Sequence, residues 1–246
     1  NFVLSYFALK GRIYKVFQSE EFRYYFFGLL TVTLIIAILI AKFQDPGLIT
    51  SIDHPMPWGA TESAIRHSLF QVTSILTTTG YVTADYTMWN YFGTIIIFSL
   101  FFIGGSAGST SGGVKIVRHV IMIKNSILEF KRLLHPNAII PVRYNGESVP
   151  KGIVFNILAF LVLYIVIFVI GSILLTFFGL DFTSAVGAAA SSLGNIGPAI
   201  GTLSPVDNFA HLSDAAKWFC SFLMLIGRLE LFTVLILFTP YFWKKN

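Results

Sequence analysis

The sequence predicts an all-α integral membrane fold made of two tandem transmembrane–pore-loop–transmembrane repeats. Three observations carry this reading. Only 12% of the 246 residues are charged and 55% are hydrophobic, with a mean hydropathy of +0.74. A soluble domain carries about 25% charged residues, so this chain lacks the polar surface to cover itself in water. Several apolar runs approach the ~20 residues that a helix needs to cross ~30 Å of hydrocarbon. The third observation is the order span, short helix, glycine turn, span, which occurs twice.

Residues 1–23 are mixed and charged, with Lys10, Arg12, Lys15, Glu20, Glu21 and Arg23. No short apolar stretch followed by small residues occurs there, so a signal peptide is not expected. The chain starts at Asn1 and is expected to be a piece of a longer protein. Tyr24–Ala41 is uncharged between Arg23 and Lys42 and reads as the first span. Trp89–Ile103, Ile153–Leu180 and Trp218–Trp243 read as three more; the last contains Arg228 and Glu230. Val114–Leu134 carries Lys115, Arg118, Lys124 and Lys131 and reads as a helix emerging into the cytoplasm.

Two apolar segments, Glu62–Leu76 and Phe182–Leu193, are too short to span. Each follows a span and ends in a glycine turn. Re-entrant segments have this form, and their irregular backbone must be buried in protein or line a wet cavity. The bland alternative is a pair of surface amphipathic helices. Gln71–Gly80 and Ala188–Gly197 match in length and character, both small and polar and both ending at glycine. The repeats are thus 24–134 and 153–246, joined by a cytoplasmic linker at 135–152.

Charge supplies an orientation. Residues 1–23, 115–152 and 244–246 hold most of the basic residues, Lys244 and Lys245 among them. Asp45, Asp53, Glu62, Asp85, Asp181, Asp207 and Asp214 lie on the other face. The positive-inside rule puts the first face in the cytoplasm. An acidic outer face would concentrate cations near a mouth.

A cation filter replaces hydration water with oxygen ligands, often backbone carbonyls aimed at one axis. Thr78, Thr79, Gly80 and Tyr81 have that character, with Asn195, Ile196, Gly197 and Pro198 as their counterpart. The alternative for either glycine alone is an ordinary helix C-cap. Between them lies Gly104-Gly105-Ser106-Ala107-Gly108-Ser109-Thr110-Ser111-Gly112-Gly113. Glycine costs a helix about 1 kcal/mol each, so this run reads as a break within the membrane, beside a cavity. The competing reading is a flexible cytoplasmic linker. A phosphate-binding loop is excluded, because Val114 follows where Lys-Ser/Thr is required. Arg228 inside a span is costly and points to a pore or a partner, unless its helix ends early near the interface.

Other function classes fall away. The lone Cys220 excludes an internal disulfide framework. His54, His67, His119, His135 and His211 are scattered, with no ligand spacing, so no metal site is assigned. No nucleophile–base pair is legible, so an enzyme is not expected. The basic residues abut apolar spans, and nucleic acid is not expected as a partner.

Five motifs, TTTGYVTADY (77–86), GGSAGSTSGGVK (104–115), HPNAIIPVRYNG (135–146), NIGPAIG (195–201) and MLIGRLEL (224–231), together resemble the Trk/Ktr/HKT superfamily of cation transporters, in particular its TrkH type. The resemblance spans nearly the whole chain. It implies a potassium-channel-like fold in which one chain carries four span–loop–span repeats around a pore, this chain matching the third and fourth. Residues 1–23 would be the cytoplasmic end of a preceding repeat. Gly80 and Gly197 match filter glycines, 104–113 a gating loop under the filter, and Arg228 an arginine near that loop. Potassium is the implied transported ion, with no covalently bound cofactor. The implied setting is a bacterial cytoplasmic membrane, with a homodimer and a cytosolic nucleotide-binding regulatory ring as partners. Tyr81 and Ala199 depart from the frequent Phe and Gly.

Potassium uptake through a glycine-turn filter is therefore the leading reading. A sodium-permeable or ion-coupled relative is one alternative. A non-conducting half that needs another polypeptide to complete the pore is another. A broken-helix secondary transporter would need inverted repeats, and here both repeats share one orientation.

Overall fold

Among the described residues of the computed structural model, two helices are long and apolar enough to cross a membrane on their own, and a bent helix pair makes up to three. The structure describes residues 6, 7, 9–43, 59–229 and 231–243. The expectations for Asp45, Asp53, His54, Glu230, Lys244 and Lys245 fall outside these residues.

A short helix α1 (Ile13–Gln18) leads into α2 (Glu20–Phe43), the first span. Its window Glu20–Lys42 has a mean hydropathy of 2.3. Glu20 and Glu21 sit in its first turn and Lys42 in its last, each complementing the helix dipole. The second long helix, α6 (Lys151–Phe177), reaches a mean hydropathy of 3.1. Its outward face shows Phe155, Val162, Ile173 and Phe177, all exposed. Such a face suits lipid and would be a liability in water. The predicted run to Leu180 ends earlier, at Phe177, where the chain turns through Gly179 toward the next helix.

The short segments form helices α3 (Ala60–Leu76) and α7 (Phe182–Gly194). Helix α7 packs against both α6 and the later helix Asp214–Arg228, and all but its first turn is almost wholly buried. That rules out a surface amphipathic helix for this segment. Its Ala and Ser residues explain the fit, since small side chains let helices approach where lipid offers no hydrophobic drive to association. Asp181 caps its start by accepting from the Ser184 N–H at 3.1 Å, and these bonds hold its carboxyl below the usual carboxylate range. Helix α3 packs against α2, burying Val72 and Ile75 beside Ile36 and Ile40.

Two predicted spans need correction. Trp89–Ile103 contains only a ten-residue helix, α4 (Tyr91–Leu100), about 15 Å long at 1.5 Å per residue. It starts late because Asn90 caps it, accepting from the Gly93 N–H at 2.8 Å. It stops early because the glycine-rich run follows. The chain resumes as α5 (Ile116–Leu134), the helix predicted over 114–134. Likewise Trp218–Trp243 is not one straight span. Helix α8 (Asp214–Arg228) is followed by α9 (Leu231–Leu235), whose apolar continuation to Phe238 is bent by 115° from it. A last turn, α10, covers Pro240–Trp243.

The predicted linker 135–152 holds a hairpin, β1 (Arg143–Tyr144) and β2 (Glu147–Ser148). Asn145 and Gly146 form its two-residue turn, both with positive φ, the dipeptide that such tight hairpins favour.

Candidate functional site

Helix α3 ends at Leu76, and the chain then coils tightly. The Thr79 N–H donates to the Ser74 carbonyl at 2.9 Å. Thr78 adopts a left-handed backbone, φ 54°, and Gly80 follows with φ 77°. The same pattern closes α7. The Ile196 N–H donates to the Ser191 carbonyl at 3.0 Å, Asn195 has φ 54°, and Gly197 has φ 116°. In both turns a serine side chain reinforces the coil. Ser74 donates to the Tyr81 carbonyl at 2.6 Å, and Ser191 accepts from the Gly197 N–H at 3.1 Å. Neither glycine is a simple helix cap, since Asn195 already takes the left-handed position at the end of α7.

The two turns meet. A Cβ on Gly80 would lie 2.1 Å from the Ile196 carbonyl oxygen and 3.3 Å from Pro198 Cδ. Only glycine permits both this approach and this φ. Farther along, Tyr86 Oη donates to the Ala199 carbonyl at 2.7 Å, so the segments after the two turns are also tied. Gly80 thus stands against Ile196, Gly197 and Pro198.

The run Gly104–Gly113 is a packed loop rather than a loose linker. Its base is closed by Gly104 N–H to the Val114 carbonyl at 2.8 Å and Ile116 N–H to the Gly105 carbonyl at 3.2 Å. Inside, Ser109 donates to the Ser106 carbonyl, and Ser111 accepts from the Gly105 N–H. Lys115 Nζ reaches the carbonyls of Ser109 and Ser111 and both their hydroxyls. The loop touches both turns. The Gly112 N–H donates to Thr78 Oγ1 at 3.3 Å, and a Cβ on Gly112 would sit 2.3 Å from the Gly194 carbonyl oxygen. Gly108 and Thr110 are exposed, and Ala107 between Ser106 and Gly108 is half-buried.

Arg228 is the last residue of α8. It lines a cavity of about 260 Å³ with Ser109, Thr110, Ser111, Lys115 and Arg118. Arg118 is held over the Phe160 ring at 3.9 Å. The neighbouring Gly227 sets the position of α8, for a Cβ there would lie 1.9 Å from the Leu193 carbonyl oxygen. Asn195 Nδ2 donates to the Met224 carbonyl at 3.0 Å and fastens the second turn to α8.

Sequence reasoning missed Lys115, Gly227 and Glu21, which accepts from the Ala107 N–H, as parts of this site. An acidic pair on a basic face marked Glu21, and the positions next to GGSAGSTSGG and Arg228 marked the other two. Among the described residues, no group of three or more His, Cys, Asp and Glu is placed to hold a metal. The predicted scatter of histidines is tested only for His67, His119, His135 and His211.

This arrangement, apolar helices with two facing glycine turns and a packed loop against them, is that of a helical membrane protein. The model of one family, described as a cation transport protein, matches residues 16–245. The chain belongs to that family, TrkH, whose characterised members are transporters rather than enzymes. It is 33% identical over 246 residues to the Trk system potassium uptake protein TrkH of Salmonella typhimurium, covering all of this chain and 48% of that protein. It is 40% identical over 184 residues to the Trk system potassium uptake protein TrkI of Halomonas elongata, covering 74% of this chain and 37% of that one. The crystal structure of the potassium transporter TrkH from Vibrio parahaemolyticus superimposes with a TM-score of 0.86 at 35% identity. That match covers 99% of this chain and 50% of the solved one. The chain thus spans about half the length of the curated relatives it matches.

Proposed function

We propose that this chain supplies half of a potassium-conducting pore in the cytoplasmic membrane of a bacterium. In this reading, 24–134 and 153–246 are its third and fourth pore-loop repeats, with 1–23 the end of a preceding one. Thr78–Tyr81 and Asn195–Pro198 are two quarters of the selectivity filter, where carbonyl and hydroxyl oxygens take the place of water around the ion. The loop 104–113 is a gate against the filter, and Arg228 faces the same cavity as that loop. A homodimer and a cytosolic nucleotide-binding ring belong to the same proposal.

One observation carries the reading. Two turns distant in the sequence share the same hydrogen bonding and the same order of left-handed residue and glycine, and they meet at Gly80 and Ile196. The names of the relatives, all potassium uptake proteins, supply the ion.

The test uses the full-length protein in bacterial cells stripped of their own potassium uptake. Wild type is expected to restore growth at low potassium. Gly197→Ser is expected to keep the protein in the membrane while lowering potassium-over-sodium discrimination about tenfold, or ~1.4 kcal/mol. The Gly197 Cβ direction is open, its nearest contact being Gly80 Cα at 3.9 Å, so a small side chain fits and the main disturbance is to the backbone at φ 116°. Failure of the wild type to support uptake would overturn the function, and unchanged discrimination in the variant would remove Gly197 from the filter.

A further inference from the structure

Glu21 is a buried carboxylate, only 3% exposed, at the start of α2. Burying a carboxylate is costly unless strong donors satisfy it. Here Oε1 accepts from the backbone N–H of Ala107, in the middle of the 104–113 loop. A backbone N–H on an ionised acceptor is one of the stronger hydrogen bonds. The loop is therefore tethered from two directions, to Thr78 of the first turn through Gly112 and to α2 through Ala107.

The next residue back faces elsewhere. Consecutive residues on a helix point about 100° apart. Glu20 Oε2 accepts from Lys124 Nζ of α5, and the Glu20 N–H donates to Asn145 Oδ1 at the tip of the hairpin. Lys124 Nζ also donates to the Arg143 carbonyl at 3.0 Å. Burial, with the nearby charges of Glu21 and Glu20 added, pushes the Tyr144 hydroxyl up to about 12. The hairpin, α5 and the first turn of α2 are thus bound into one unit. That unit carries Glu21, and Lys115, the N-cap residue of α5, grips the loop at Ser109 and Ser111.

We propose that Glu21 is the latch that holds the 104–113 loop against the filter, and that the 143–148 hairpin sets the latch through Glu20, Asn145 and Lys124. A movement of the hairpin would shift the start of α2 and with it the acceptor on the Ala107 N–H. The inference rests on the reading of this loop as a gate, and its test separates the two. Glu21 acts as a positioning residue and touches no ion.

The experiment uses the full-length protein, reconstituted in vesicles, with its other cysteines replaced and Ala107→Cys as a reporter. The rate of modification by a membrane-impermeant thiosulfonate reads the loop's position, and potassium flux reads the gate. Glu21→Ala is expected to raise the modification rate about fivefold and to raise flux with selectivity unchanged, consistent with loss of one charge-assisted bond. Glu21→Gln, whose amide oxygen still accepts, should fall between. Asn145→Ala and Lys124→Ala should shift both readouts in the same direction by less. If Glu21→Ala fails to insert, Glu21→Asp carries the test, because it keeps the charge and shortens the reach by one methylene. An unchanged modification rate in an inserted Glu21 variant overturns the latch. A rate that answers to Glu21 but to neither Asn145 nor Lys124 overturns the control by the hairpin. Faster modification with unchanged flux keeps the latch and overturns the gate.

Discussion

Gly80→Asp in the full-length protein is expected to lower potassium uptake at least ~100-fold while leaving the protein in the membrane, a loss of about 2.7 kcal/mol of barrier lowering. Three effects act together. The Cβ would lie 2.1 Å from the Ile196 carbonyl oxygen, a backbone atom that cannot swing away. The φ of 77° costs a residue with a side chain about 1–2 kcal/mol. The carboxylate would stand where the two turns meet and add a fixed charge to a site meant to hold an ion briefly. Gly80→Ala separates these terms, since it keeps the clash and the strain without the charge. Uptake assayed beside quantified membrane insertion checks both. Normal uptake in an inserted Gly80→Asp protein would take the ion path away from this turn.

Deleting residues 106–111 is expected to raise potassium flux about tenfold, equivalent to ~1.4 kcal/mol removed from the barrier. The ends left behind already lie together. The bonds from Gly104 to Val114 and from Ile116 to Gly105 close the loop's base outside the deleted stretch, and a Cβ on Gly104 would sit 2.4 Å from the Gly112 carbonyl oxygen. The cut can thus be sealed with little strain on α4 or α5. It removes the Ser109 and Ser111 oxygens around Lys115 and leaves that charge near the cavity. A companion deletion with Lys115→Gln separates a missing plug from a stray cation. Flux measured in vesicles decides the matter, and an inserted deletion protein with unchanged flux would contradict the gating role.

The membrane class and the short helices were legible in composition and in span length. The matched spacing of a helix end and a glycine in both halves, at Gly80 and Gly197, was legible too. The breaks were harder to read. Trp89–Ile103 looked like a span because hydropathy averages over a window, whereas Asn90 and Gly104 decide where the hydrogen-bonded helix can exist. Just before the bend, Gly227 packs closely on Leu193, a contact between distant segments. The hairpin at 143–148 had a local signal in Asn145-Gly146, obscured by the short strands on either side. Glu21 could not be assigned to the loop from sequence, since the 86 residues that separate it from Ala107 give no hint of contact. What sequence conveys well is which backbone conformations are allowed. Which distant groups satisfy a buried carboxylate or an approaching carbonyl depends on the tertiary fold.

The central claim is that ions pass between the turns at Gly80 and Gly197. The most direct measurement is the anomalous scattering of rubidium, a potassium surrogate, in crystals of the full-length protein. The account predicts ion density within coordination distance of backbone oxygens at Thr78–Gly80 and Asn195–Gly197. Density confined to other parts of the molecule, with these oxygens bare, would contradict it.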